Sequence, residues 1–181
     1  MGKKVSILVF STRPNGNCSH IGEFISNYHA QDQVTIFGIN ARDFAPCGGC
    51  NYECLNPSAV CPLRNQQQDA VMDAICASDL VYYIVPNYCG YPNANYFAFN
   101  ERSVGYFNLD RALIGTYMSV PKAFIIVSNT EGFESAMRQQ TKDEPRMIYL
   151  KSGKYKKRST AGDILDSEEA QQDLTAFLQS L

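Results

Sequence analysis

The sequence predicts an α/β fold, a three-layer sandwich in which a five-stranded parallel sheet carries helices on both faces. Short runs rich in β-branched residues, apolar without alternation, predict strands buried on both sides. Between them apolar residues recur at helical spacing, and strands that alternate with helices build parallel sheets. A length of 181 residues suits one such domain, spanning 1–181. Hydrophobic residues make up 45% and charged residues 19%, enough apolar surface to offset the entropy of ordering the chain, which excludes wholesale disorder. With 16 basic residues against 18 acidic ones and a net charge of −2, no general attraction to nucleic acid or anionic lipid is expected. The first apolar run, Val5 to Phe10, is far shorter than a membrane span or a secretory leader core. A cytoplasmic protein with no membrane and no nucleic-acid partner is therefore expected.

Val5 to Phe10, entered from Lys3-Lys4, is the first strand, and it stops at the turn formers that run from Ser11 to Asn17. A helix begins near Cys18 or Ser19, with Ile21, Phe24 and Ile25 on one side, and Val34 to Ile39 reads as the second strand. The same grammar then repeats: a helix from about Gln68 to Ala77, a strand from Leu80 to Val85, a helix inside 95–118, and a strand from Ala123 to Val127. Met147 to Leu150 forms the fifth strand. A last helix follows Asp166-Ser167, where either side chain can cap the free amides and Glu168-Glu169 suit the positive end of the helix dipole. Five strands in this sequence suggest a flavodoxin-like order. No linker or repeat divides the chain, so 41–65 reads as a long functional loop.

In a doubly wound sheet, ligands bind beyond the carboxyl ends of the strands, so the loops after Phe10, Val85 and Val127 should converge on one crevice. The first offers Ser11, Arg13, Asn15, Asn17, Cys18 and Ser19: hydroxyls, amides, a guanidinium and the free N–H groups of a helix start. A phosphate dianion needs such donors. A polar strand-to-helix turn with no ligand is the alternative. The spacing lacks both the Gly-x-Gly-x-x-Gly of a dinucleotide pyrophosphate and the Gly-Lys-Ser/Thr of a triphosphate loop, so a single terminal phosphate fits better. The second loop runs Pro86-Asn87-Tyr88-Cys89-Gly90 and opens a stretch dense in rings, with Tyr88, Tyr91, Tyr96, Phe97, Phe99, Tyr106, Phe107 and Tyr117. Some of these must be helix core; the others can wall a flat ligand or a contact with a second copy. The third loop, Ser128-Asn129-Thr130-Glu131-Gly132, is polar after a buried strand and should close the crevice from the other side, whether or not Asn129 or Thr130 also caps a helix.

Seven cysteines are an odd number, and Cys47, Cys50, Cys54 and Cys61 crowd into one short window. This is ligand or redox spacing more than a disulfide scaffold. Four such thiols can hold a cubane [4Fe-4S] cluster or a zinc ion, pair as disulfides, or stay reduced. Cys76, on the apolar side of a helix, reads as core. His20 and His29 lack partners in a catalytic arrangement and read as surface or packing residues, and no Gly-x-Ser-x-Gly elbow supports a hydrolase.

Ser11-x-Arg13-x-x-Gly16-Asn17 after the first strand resembles the phosphate loop of the NAD(P)H-dependent FMN reductase family of flavodoxin-like flavoproteins. Ser78-Asp79 followed by a strand ending at Pro86-Asn87-Tyr88 is similar to that family's second flavin loop, and Phe99-Asn100-Glu101-Arg102 to its aromatic-x-Asp-Arg segment. Cys47-Gly48-Gly49-Cys50 with Cys54 and Cys61-Pro62 resembles the cysteine-rich loop of the branch that includes the iron–sulfur flavoproteins. Those members place two residues between their second and third cysteines, where this chain has Asn51-Tyr52-Glu53. The departure argues for a flavin-only protein whose Cys47 and Cys50 border the crevice.

The resemblance implies bound FMN, hydride supplied by NAD(P)H, electrons passed to a flavin, quinone or other small acceptor, and a homodimer. It implies that Asn87, Tyr88 and Gly90 meet the ring edge, and that no side chain need act as acid or base. A non-enzymatic electron-transfer flavoprotein, with a protein partner and with or without a [4Fe-4S] cluster on Cys47, Cys50, Cys54 and Cys61, is the alternative. The basic run Lys151, Lys154, Lys156, Lys157, Arg158 can greet the 2′-phosphate of NADPH or remain a solvated loop.

Overall fold

The computed structural model describes residues 2–40, 42–43, 46–56, 59–64 and 66–181. The two ends of the expected loop 41–65, and its residues 44, 45, 57 and 58, lie outside the described residues. The elements in chain order are β1 (Lys4–Val9), α1 (Asn17–Tyr28), β2 (Gln33–Gly38), α2 (Gln66–Cys76), β3 (Leu80–Tyr88), β4 (Tyr91–Pro92), α3 (Ala94–Phe107), α4 (Ala112–Ser119), β5 (Lys122–Val127), α5 (Glu134–Arg138), β6 (Arg146–Leu150) and α6 (Glu168–Gln179). Among the described residues no helix is long and apolar enough to cross a membrane.

The main sheet has the order β2-β1-β3-β5-β6, and every pairing along it is parallel. Numbering the parallel strands alone gives 2-1-3-4-5, the flavodoxin-like order. The sheet is six-stranded and not five-stranded, because β4 adds a short antiparallel pair at the end of β3. The cause is local. β3 continues past Val85 to Tyr88, and Cys89 (φ 55) and Gly90 (φ 88) then turn the chain back. Two consecutive left-handed residues fit a tight hairpin whose twist matches its strands.

β1, β3 and β5 are buried along nearly all of their length, as their unbroken apolar runs require. Alternate side chains feed two cores. Leu8, Val81, Tyr83, Val85, Phe124 and Ile126 pack with α2, α3 and α4, while Val5, Ile7, Tyr82, Ile84, Ala123 and Ile125 pack with α1 and α6. The single helix expected inside 95–118 is two, α3 and α4. Asn108 ends the first, and the Asp110 carboxylate accepts the Ala112 N–H (3.0 Å) to open the second. Short α5, on the way from β5 to β6, has Phe133 at its N-cap, and not Asn129 or Thr130. Ser167 stands at the N-cap of α6, although its hydroxyl makes no capping bond.

A buried cation lies at the amino-terminal end of β5. Lys122 is 3% exposed; its Nζ donates to the carbonyls of Tyr117 and Val120 and sits 4.3 Å from the centre of the Tyr117 ring. Beside it run the hydrogen bonds Tyr83 to Tyr117 (2.8 Å) and Tyr117 to Gln140 (2.6 Å). Burial lowers the Lys122 pKa from 10.5 to about 8. Between these values the unfolded chain still holds the proton and the folded one has lost it, so this group makes stability rise with pH across that window. Parent protein and Lys122→Met are expected to diverge in urea denaturation as pH climbs from 8 towards 10, the parent gaining. A stability difference independent of pH would show that the amine keeps an ordinary pKa.

Candidate functional site

β1 and β3 are neighbours, but the chain leaves β1 for α1 on one face and leaves β3 for α3 on the other. The loops therefore part at this point, and a crevice opens between them. Its volume is about 250 Å³, and residues of all three expected loops line it.

Phe10 fixes where the first loop departs. Its ring stacks on Tyr83 (5.6 Å between centres) and meets Tyr96 and Phe99 edge-on at 5.5 and 5.8 Å. Its N–H donates to Ile84 (3.0 Å), and its carbonyl accepts from the side-chain amides of Asn93 and Asn95. Beyond this anchor Ser11, Arg13, Asn17 and Cys18 line the crevice, and so does Gly16. As the first residues of α1, Asn17 and Cys18 have no intrahelical carbonyl for their N–H groups, which leaves donors at the positive end of the helix dipole. The Cys18 thiol is pushed up to about 12, chiefly by burial, and stays neutral.

The side chain of Asn17 works elsewhere. Its Nδ2 donates to the Ser159 carbonyl (3.1 Å), and its Oδ1 accepts the Ile164 N–H (3.0 Å). The side chain expected to meet a phosphate is therefore engaged, and only the backbone N–H of Asn17 is left for the crevice. Asn15 and Ser19 lie outside the lining. The Asn15 carbonyl packs against Gly162, and the Ser19 hydroxyl donates to the Arg13 carbonyl (2.9 Å), bracing the loop from behind.

Pro86, Asn87, Tyr88 and Cys89 line the crevice from the second loop, and Ser128, Asn129 and Thr130 from the third. Asn87 joins the two: its Nδ2 donates to the Thr130 carbonyl (2.8 Å) and its Oδ1 accepts the Gly90 N–H (2.8 Å). Gly90 and Gly132 pack against one another behind this rim and do not line it. The Asn129 Oδ1 accepts from Ser152 and from the Gly153 N–H (2.7 Å), which ties the third loop to the segment after β6.

Ser159 and Thr160 also line the crevice, and sequence reasoning missed them. The usable signal was the basic run just before them, which placed charge but not contact. Val127, at the floor, was missed as well.

Cys47 and Cys50 do not border the crevice, contrary to expectation. Their loop docks on α3 instead: the Cys47 N–H donates to Glu101, Asn108 donates to the Asn56 and Ala59 carbonyls, and Cys61 lies so close to Gly105 that a Cβ there would fall 2.9 Å from the cysteine Cβ. Cys61 is buried, Cys50 and Cys54 half-buried and Cys47 exposed. Desolvation raises the Cys54 pKa, and the neighbouring Cys61, Cys47 and Cys50 add to it. Among the described residues no group of three or more His, Cys, Asp or Glu is placed to hold a metal ion. Both histidines are structural: His20 donates through Nδ1 to the Gly162 carbonyl (2.7 Å), and His29 bridges Asp32 and Tyr82.

Replacing Asn17 by Ala removes two largely buried hydrogen bonds and is expected to cost about 1–3 kcal/mol in urea denaturation. Hydrogen exchange at the Ile164 amide should quicken well beyond that global loss. Unchanged exchange there would mean that Asn17 does not hold the 159–164 segment.

No family model matches the chain, and no curated protein matches it. Solved structures do. A candidate quinone reductase from Klebsiella pneumoniae superposes with a TM-score of 0.64 at 12% identity, over 98% of this chain and 85% of that one. An azoreductase from Bacillus anthracis gives 0.58 at 13% identity, over 99% and 96%. FerB, a flavoenzyme NAD(P)H:(acceptor) oxidoreductase from Paracoccus denitrificans, gives 0.53 at 14% identity, over 98% and 96%. At such identities the likeness establishes the fold, and that fold is a doubly wound, flavodoxin-like α/β sandwich.

Proposed function

We propose that the protein is an FMN-dependent oxidoreductase that takes hydride from NAD(P)H and passes electrons to a flavin, a quinone or another small acceptor. The observation that carries this reading is the chemistry of the crevice wall. It combines Ser11, Arg13 and the helix N–H groups with polar loops from β3 and β5, and among the described residues no carboxylate lines it. Such a wall suits a phosphomonoester at one end and a polar ring edge at the other. The names of the three solved neighbours point to the same class of chemistry.

Bound FMN would supply hydride acceptance and electron relay. The chain's own residues bind and orient. Arg13, the Ser11 hydroxyl and the Asn17 and Cys18 N–H groups hold the phosphate, while the neutral Cys18 thiol adds no opposing charge. Asn87 holds the second and third loops in one rim, so backbone donors and acceptors near Tyr88, Cys89 and Thr130 keep a fixed spacing against the ring. No side chain is required as acid or base. The exposed rings of Tyr88, Tyr91 and Phe97 support a homodimer in which a second copy covers this side.

Protein purified without oxygen is expected to show a two-band flavin spectrum that bleaches rapidly with NADH or NADPH, with iron and acid-labile sulfide at background. Flavin that ignores both nicotinamides but is reduced by a ferredoxin would indicate an electron carrier. About four irons per chain, lost in Cys54→Ser, would indicate a cluster flavoprotein. Colourless protein that takes up no FMN would refute both flavin readings.

A further inference from the structure

The segment after β6 has the farthest to travel in the sheet. It leaves the edge strand, and by residue 159 it lies against the start of α1, at the other side of the crevice. Four contacts hold it there. Asn17 grips it twice, at the Ser159 carbonyl and the Ile164 N–H; His20 binds the Gly162 carbonyl; and Gly162, at φ 78, packs so tightly on the Asn15 carbonyl that a Cβ would fall 2.5 Å from that oxygen. Within the segment the Ala161 N–H donates to the Arg158 carbonyl (3.3 Å), closing a turn with Ser159 and Thr160 at its two central positions. Both line the crevice alongside Ser11 and Arg13, and among the described residues neither hydroxyl has a hydrogen-bond partner.

The charges divide in the same way. Lys151 pairs with Glu131, and Lys154 with Asp173 and Glu169. Lys156, Lys157 and Arg158 have no ion-pair partner among the described residues, and they stand immediately before the turn. The cationic stretch thus leads directly into Ser159 and Thr160, which line a crevice that contains Arg13 and, among the described residues, no carboxylate. Donors on both sides of one space, with Arg13 in one wall and three cations directly preceding the other in the chain, favour a doubly charged ligand group over a neutral one.

We propose that the 156–160 segment is the second wall of the phosphate site: Ser159 and Thr160 donate hydroxyls to a phosphomonoester, and Arg158 with Lys156 and Lys157 selects phosphorylated over unphosphorylated ligands. The identity of that ligand as FMN rests on the function proposed above, whereas the preference for a phosphomonoester rests on the segment itself. The basic run accordingly serves the ligand's terminal phosphate and not the 2′-phosphate of a nicotinamide donor.

Lys156, Lys157 and Arg158 are tryptic sites, so occupancy can be read without activity. FMN, and inorganic phosphate at millimolar concentration, are expected to slow cleavage at 156–158, while riboflavin does not. In the double variant Arg158→Ala, Thr160→Val, FMN affinity measured by fluorescence quenching should fall about tenfold or more, with riboflavin affinity unchanged. If FMN binds the parent and the variant equally, or riboflavin protects as well as FMN, the second wall is overturned and the flavin reading stands. Protection by phosphate from a protein that binds no flavin would uphold the wall and overturn the flavin reading. Absence of protection by either phosphate or FMN overturns the wall.

Discussion

The structure depends on β3 lying between β1 and β5 with both of its faces covered. A parallel strand buried in this way can satisfy its backbone only through ladder bonds, so its neighbours must match it residue for residue, as the pairings Val9 to Ile84 and Ile84 to Ile125 do. The match has a geometric consequence. All five parallel strands end at the same edge, and in the loops after them the ladder soon gives out, as at Phe10, whose N–H still reaches Ile84 while its carbonyl turns to Asn93 and Asn95. The crevice sits where two of these loops diverge, so the constraint that builds the core also builds the site.

Asparagine answers the need for partners at that edge. Its amide donates and accepts at once, so a single side chain can close two open backbone groups. Asn17 does so for the 159–164 segment, Asn87 for the second and third loops, and Asn93 for Phe10 and the start of α3. Asn129 accepts two bonds from the segment after β6. The crevice rim is therefore not a set of independent loops. It is a ring of segments tied to one another by short polar contacts, which holds the crevice-facing atoms at a fixed spacing.

The cysteine-rich loop belongs to a different part of the molecule. It is tied to α3 through Glu101, Asn108 and the missing side chain of Gly105, and these contacts draw it away from the crevice. Cys54 faces an apolar groove with Leu55, Val104 and Phe107. A cluster of thiols in the sequence and a crevice at the sheet edge are thus two features of this protein, with separate surroundings.

The sequence by itself determined the strands, their parallel sense and the edge on which a ligand would bind. Runs such as Leu80 to Val85 are too apolar to face water on either side, and the polar loops after Phe10, Val85 and Val127 announce where the buried backbone ends. Local pattern also pointed to the loop of Arg13 and the start of α1, which do line the crevice. It could not reveal where the Asn17 side chain is engaged, or that Ser159 and Thr160 line the crevice, because both depend on a contact between segments 142 residues apart. Nor could it place Cys47 and Cys50, since their position turns on how Glu101 and Asn108 meet a distant loop. Periodicity reports which residues leave water, and only the tertiary structure decides which of them then meet.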